Sequence, residues 1–303
     1  MDEFSLLICM GATVISIFVG LLTGIFGVGG GFLMTPALII LLGIPGNIAV
    51  GTDLVIIFFN STLGMFKRRG SGTIDVKLAL WLAAGGIIGA QIGAMIMKRL
   101  KEMSKIEILG KAHDPVELIL LALFFVLLLW LAVFMYFDLK KNKGKKKDVR
   151  VGLFSKIKIP PYVHFNSLDV PRMSLVPIVG FGLGVGILTA LMGVGGGVVM
   201  LPALIYLVGQ HTVKAAGTSL LFVWVVSIFA GYKHAIDGNV VPVLLIGMLA
   251  GGFVGTWLGT HLGLKLRGEK IRQYFVYVVV AAGLLVAFKI VSMLFFGATP
   301  AAH

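Results

Sequence analysis

Long apolar blocks, broken by glycine or by short charged stretches, make up most of this chain. They run approximately over 4–26, 32–42, 48–66, 78–97, 116–137, 174–192, 198–209, 214–232, 240–264 and 273–296. Most are continuous runs near 20 residues, so each predicts a helix able to cross a hydrocarbon core of about 30 Å. A β-barrel would show alternating segments of about 10 residues instead. The blocks 32–42 and 198–209 are too short to span, since 11 helical residues rise only about 16 Å. Each follows a glycine-rich break, so 4–42 and 174–209 are each predicted as a broken helical hairpin that enters and returns on one side. Non-helical backbone at membrane depth persists only inside protein or along a wet cavity. The breaks therefore belong in the interior.

The chain repeats itself. Gly27-Val28-Gly29-Gly30-Gly31 returns as Gly193-Val194-Gly195-Gly196-Gly197, 166 residues later, and across 27–43 and 193–209 12 of 17 positions are identical. At the same offset Pro36 matches Pro202, Gly51-Thr52 matches Gly217-Thr218, Ser61 matches Ser227, Lys67 matches Lys233 and Gly72 matches Gly238. Gly85, Gly86, Gly89 and Gly93 match Gly251, Gly252, Gly255 and Gly259, a small-residue spacing that predicts close helix packing. The expected fold is an all-α polytopic membrane protein of two repeats, each a broken hairpin plus three transmembrane helices. Repeat 1 covers 1–137, a basic linker 138–173, and repeat 2 174–296.

Charge fixes an expected topology. The chain is 58% hydrophobic and 13% charged, with a net charge of +13. Its cations cluster between apolar blocks, as topology-setting charges do, which argues against nucleic acid as a partner. If each hairpin makes no net crossing and the N-terminus is outside, Lys67, Arg68 and Arg69 are cytoplasmic. So are Lys265, Arg267, Lys270 and Arg272, and the linker, with ten Lys/Arg against three Asp. The external loop 98–115 offsets its cations with Glu102, Glu107 and Asp114. The two hairpins then enter from opposite sides, giving inverted-topology repeats, a transporter architecture with its site near the midplane. The cluster Lys140–Lys147 is placed to touch anionic lipid. Pro160, Pro161 and Pro171 argue against a long helix in the linker, which reads as a solvated loop. The N-terminus lacks a basic leader and is expected to be retained. Cys9 is alone, so no intrachain disulfide forms.

The duplicated glycine motif, with proline five residues after its last glycine and the later Gly-Thr, resembles the TauE/SafE family of anion permeases. The resemblance covers nearly the whole chain except the linker. It implies a secondary transporter, in the exporting direction, of small sulfur-containing anions such as sulfite, sulfoacetate or other organosulfonates, with proton coupling in many members. The residues supply a physical reason. The half-helices begin at the glycine turns, where unsatisfied N–H groups and a partial positive charge collect. Glycine lets a ligand approach the backbone, and converging amides bind an anion without a buried cation.

The expected substrate-binding set is Gly29, Gly30, Gly31 and Phe32 with Thr52, and Gly195, Gly196, Gly197 and Val198 with Thr218 and Ser219. The bland alternative is that the glycines serve packing and the threonines back-bond to their helices. Asp53, where repeat 2 has Ser219, is a carboxylate in an apolar helix and a candidate for proton coupling or gating. Asn60 and Gln91 are weaker candidates, interhelical hydrogen bonding being the ordinary use of such groups. Tryptophans, tyrosines and lysines near block ends read as interfacial residues. A Rossmann fingerprint fails, because Phe32 and Val198 stand where its last glycine is needed. His234 and His261 lack ligand spacing, so no metal and no cofactor is expected. No catalytic pair is present, so an intramembrane enzyme is not expected. An anion channel with the same glycine site, or a carrier of another small anion such as a carboxylate, remains the alternative. Homo-oligomerisation stays open.

Overall fold

The computed structural model describes residues 6–104, 106–108, 111–141, 152–165, 168, 172–266 and 268–296. The lysine cluster 140–147 therefore falls, apart from the backbone of 140 and 141, outside the described residues, as do Asp2 and Glu3. Among the described residues, eight helices are long and apolar enough to cross a membrane. They are α1 (Leu6–Phe26), α3 (Gly46–Arg68), α4 (Val76–Lys101), α5 (Pro115–Lys141), α6 (Leu175–Met192), α8 (Thr212–Ile236), α9 (Pro242–Lys265) and α10 (Gly268–Phe296). Two short helices complete the set, α2 (Gly31–Leu42) and α7 (Gly197–Ala203), the latter continued by a π-helical segment, Leu204–Val208. The protein is a multi-pass helical membrane protein.

Several helices run past the apolar blocks. α4 continues through Lys98, Arg99 and Lys101, whose charges suit a helix C-terminus. Two small antiparallel hairpins are additions to the expected fold, β1 (Ile106–Ile108) with β2 (Lys111–His113) and β3 (Tyr162–Val163) with β4 (Met173–Ser174). The linker is not a free loop throughout. Phe165 and Met173 are buried, Phe154 meets Phe181 edge-on, and Lys77 donates to the His164 carbonyl. Apolar residues within a basic segment hold its second half on the bundle.

The repeats pack by exchange. α1 lies along α9, and α4 along α6, as the most extensive contacts. The small-residue stripes make them. A Cβ at Gly20 would stand 2.7 Å from the Gly252 carbonyl oxygen, and one at Gly93 3.1 Å from the Cβ of Ala190. The partners advance together along each pair: residues 13, 17 and 21 face 251, 255 and 259, while 85, 89 and 93 face 179, 183 and 187. Both pairs are therefore parallel. α3 crosses α8 near the centre, and α5 packs on α10 at the periphery.

Candidate functional site

Both helix breaks have the same backbone. Gly27, Gly29 and Gly30 have φ of 71°, 79° and 84°, and Gly193, Gly195 and Gly196 have 70°, 67° and 74°. Only glycine takes such values without strain, which explains the residue choice at these turns. Gly30 and Gly196 then cap α2 and α7 in the left-handed conformation without a side-chain cap.

The turns abut across the repeat boundary. A Cβ at Gly31 would overlap the Gly193 carbonyl oxygen, and one at Gly197 the Val28 carbonyl oxygen. Ile57 and Val223, themselves 166 residues apart, lie against both Gly29 and Gly195 and close the centre. Phe32 is fully buried against Phe275, and Val198 is fully buried as well. The turn region is occluded.

The amides are the notable feature. Gly27 N–H bonds to the Thr23 carbonyl and Gly193 N–H to the Thr189 carbonyl. Beyond them the helices resume with Leu33 and Met34 bonded to the Gly30 carbonyl, and Val199 and Met200 to that of Gly196. Between these points, among the described residues, the N–H groups of 28–32 and 194–198 meet no acceptor. Buried backbone donors are nearly always paired. Two runs of unpaired donors at the starts of two half-helices form a region suited to negative charge.

Polar side chains surround it unequally. Thr35 Oγ1 donates to Asp53 Oδ2 at 2.8 Å, and a Cβ at Gly193 would stand 2.7 Å from that hydroxyl. Asp53 is buried, and its Oδ1 has no partner. At the equivalent place in repeat 2, Ser219 donates to the Gly27 carbonyl. Thr52 and Thr218 act as clasps between repeats. Thr52 Oγ1 accepts from the Val241 N–H at 3.2 Å, and Thr218 Oγ1 from the Asp75 N–H at 3.0 Å and Gln210 Nε2 at 3.0 Å. Each holds the N-terminus of the other repeat's third spanning helix. Asn60 lies against Gly252 on α9, Gln91 is half-buried on α4, and no described hydrogen bond links either to the turns.

Sequence reasoning missed Thr35, Ile57 and Val223, all of which the repeat offset or the proline-containing half-helix could have flagged. It also missed Arg68 and His234, which are buried at the ends of α3 and α8. Arg68 Nη2 donates to the Gly24 carbonyl at 3.0 Å, and His234 Nε2 contacts the Ala190 carbonyl at 2.8 Å.

Two cavities lie elsewhere. One of about 500 Å³ between α1, α2 and α10 is lined by Val14, Phe18, Leu33, Pro36, Val278 and Leu285 among others, all apolar, and offers an anion nothing. Another of about 470 Å³ is lined by Lys98, Lys101, Glu102, Ile236, Asp237 and Asn239.

Comparison with known proteins agrees on the class. The family described as "Sulfite exporter TauE/SafE" matches residues 12–286. The chain is 28% identical over 268 residues to "Probable membrane transporter protein YjnA" of Bacillus subtilis (strain 168), covering 88% of this chain and 95% of that one. It is 26% identical to "Probable membrane transporter protein YunE" of the same organism, over 89% and 95% of the two chains. A "Probable membrane transporter protein" of Xylella fastidiosa (strain Temecula1 / ATCC 700964) is 26% identical over 89% and 92%. No solved structure matches.

Proposed function

The chain belongs to the sulfite exporter TauE/SafE family, and from that premise we propose that this membrane transporter exports small sulfur-containing anions such as sulfite, sulfoacetate or other organosulfonates. The anion is held between the two glycine turns by the amides of 28–32 and 194–198, with Gly29–Phe32 and Gly195–Val198 as the cradle. Thr52, Thr218 and Ser219 hold the walls of that cradle. The observation that carries this reading is the pair of acceptor-free amide runs abutting at one place. Ile57 and Val223 must withdraw for the anion to enter, so the described form is the closed one.

The repeats are inverted in this reading. α1 runs parallel to α9 and α4 parallel to α6. α3 runs with α9, since Asn60 faces Gly252 and Gly64 faces Thr260, and α3 must reverse into α4 through the short turn 69–75. These directions together support α1 antiparallel to α6. Such an arrangement supports alternating access about the turns.

Asp53 is the coupling group. A protonated carboxyl has the hydroxyl that Ser219 uses to reach the Gly27 carbonyl, and it removes a negative charge from beside the anion. Deprotonation would restore the repulsion and favour release.

Proteoliposomes loaded with sulfite test the proposal. Saturable counterflow that quickens with a proton gradient is expected, with Asp53→Asn retaining counterflow but losing the gradient response. Gly31→Leu and Gly197→Leu are expected to insert and to lose flux. Retained flux in either leucine variant counts against the site, and a large unitary conductance in a planar bilayer identifies a channel instead.

A further inference from the structure

Among the described residues, Arg68 is the largest of the fully buried side chains, at 1% exposure. Nη2 donates to the Gly24 carbonyl, Nε has no partner, and among the described residues no carboxylate pairs with it. A guanidinium brings five N–H donors and a full charge. Burying that charge among spanning helices without compensation is strongly unfavourable, and such residues mark ion and substrate pathways.

Capping the end of α1 is the ordinary explanation, since cations favour helix C-termini. The second repeat measures how much of Arg68 that job requires. His234 stands at the position equivalent to Arg68, and Ala190 at that equivalent to Gly24. His234 Nε2 donates to the Ala190 carbonyl at 2.8 Å, and Nδ1 accepts from Asn239 Nδ2 at 3.3 Å. A neutral imidazole with one N–H does the whole task and is satisfied at both nitrogens. What Arg68 adds is the charge and donors with no acceptor on the protein.

We infer that Arg68 is an anion-binding residue, whose guanidinium receives the translocated oxyanion between the first glycine turn and the 69–75 loop. It rests on the anion-transport reading above and gives it a fixed positive station that the glycine turns lack. The planar fork matches two oxygens of a sulfite or sulfonate group. The second repeat has no such charge at the equivalent place, so the path is electrostatically asymmetric from one end to the other.

The test uses the full chain in detergent, with thermal stabilisation titrated by sulfite, acetate and chloride. Arg68→His copies the second repeat's cap. It is expected to melt like wild type without anion, yet to need about tenfold more sulfite for half-saturation, as loss of a charge-assisted pair implies. Arg68→Lys keeps the charge and loses the fork. It is expected to bind sulfite about threefold to tenfold more weakly with chloride unchanged. A wild-type half-saturation in Arg68→His overturns the inference, and so does unchanged selectivity in Arg68→Lys, which decides the matter if Arg68→His does not fold. If wild type responds to chloride or acetate but not sulfite, the substrate assignment falls and the same variants judge Arg68 on that anion. If wild type responds to none, both readings fall.

Discussion

Replacing Gly31 with alanine asks the glycine turns a sharp question. The new methyl would lie 2.8 Å from the carbonyl carbon of Val194 and nearer still to the Gly193 oxygen, where carbon contacts are ordinarily about 3.5–4.0 Å. Ile57 Cδ1, at 2.7 Å, can rotate away. The backbone of the opposite turn cannot. With the Gly193 oxygen only 2.0 Å from the new methyl, the two backbones must part by about 1 Å there, and overpacking of this kind costs about 1–3 kcal/mol. Gly184→Ala is the matched control. Gly184 sits on the exposed face of α6 with nothing within 4 Å, and alanine there improves helix propensity by up to about 1 kcal/mol. The two variants should therefore differ by about 2–4 kcal/mol. Melting of purified protein in detergent should show Gly31→Ala below wild type and Gly184→Ala at or above it. Sulfite counterflow should fall with the first variant alone, because displaced amides no longer converge. Indistinguishable melts and fluxes would refute the claim that these turns are held backbone to backbone.

The clasps make an ordered prediction. Thr218→Val strips an acceptor from two donors and Thr52→Val from one, so melting should fall further in the former, each lost partner costing about 1–3 kcal/mol, while the serine variants stay near wild type. Topology is tested in a Cys9→Ser background: Met103→Cys should react with an impermeant maleimide on intact cells, and Arg69→Cys only after permeabilisation. The reverse result would invert the assigned orientation. In the same background Thr13→Cys with Gly247→Cys should form a disulfide, since a Cβ at Gly247 would lie 3.8 Å from that of Thr13, matching the mean of about 3.8 Å for disulfides. The oxidised protein is expected to keep its counterflow.

The offset of 166 residues made the half-helices, the turns and their shared left-handed glycines legible, because each feature was written twice. Arg68 was hidden by its neighbours. Within Lys67-Arg68-Arg69 it looks like one more topology charge, and Lys67 does behave that way, lying over the Trp257 ring at 3.9 Å. Burial separates it from them: Arg68 is buried, Lys67 half-buried and Arg69 exposed. Asp53 was visible as a carboxylate in an apolar helix, but not its pairing with Thr35, which depends on how the half-helix docks against α3. The burial of Phe165 and Met173 was masked by the linker's charge. The π-helical stretch after Pro202 has no counterpart after Pro36, and no structural cause for that difference is evident.

The exchanged packing bears on what can move. If each repeat rocked as one body, the motion would shear the α1–α9 and α4–α6 seams, where glycines seat backbone on backbone along several turns. Ser16 also donates to the Met248 carbonyl at 2.5 Å within the first seam. Close small-residue seams that run over several turns do not slide without opening voids. At the centre, backbone meets backbone only at points, as where Gly31 faces the Gly193 carbonyl and Gly197 that of Val28, and the remaining contacts named there are the side chains of Ile57 and Val223 and two hydroxyl clasps. Side-chain packing can rearrange by rotamer, and a clasp can release one bond. On the alternating-access proposal the moving bodies would then be mixed, each built on a seam from both repeats, with the α3–α8 crossing as the expected hinge. That is why the Thr13–Gly247 crosslink should leave transport intact; if it abolishes counterflow, the seams themselves must open and the bodies are the sequence repeats after all.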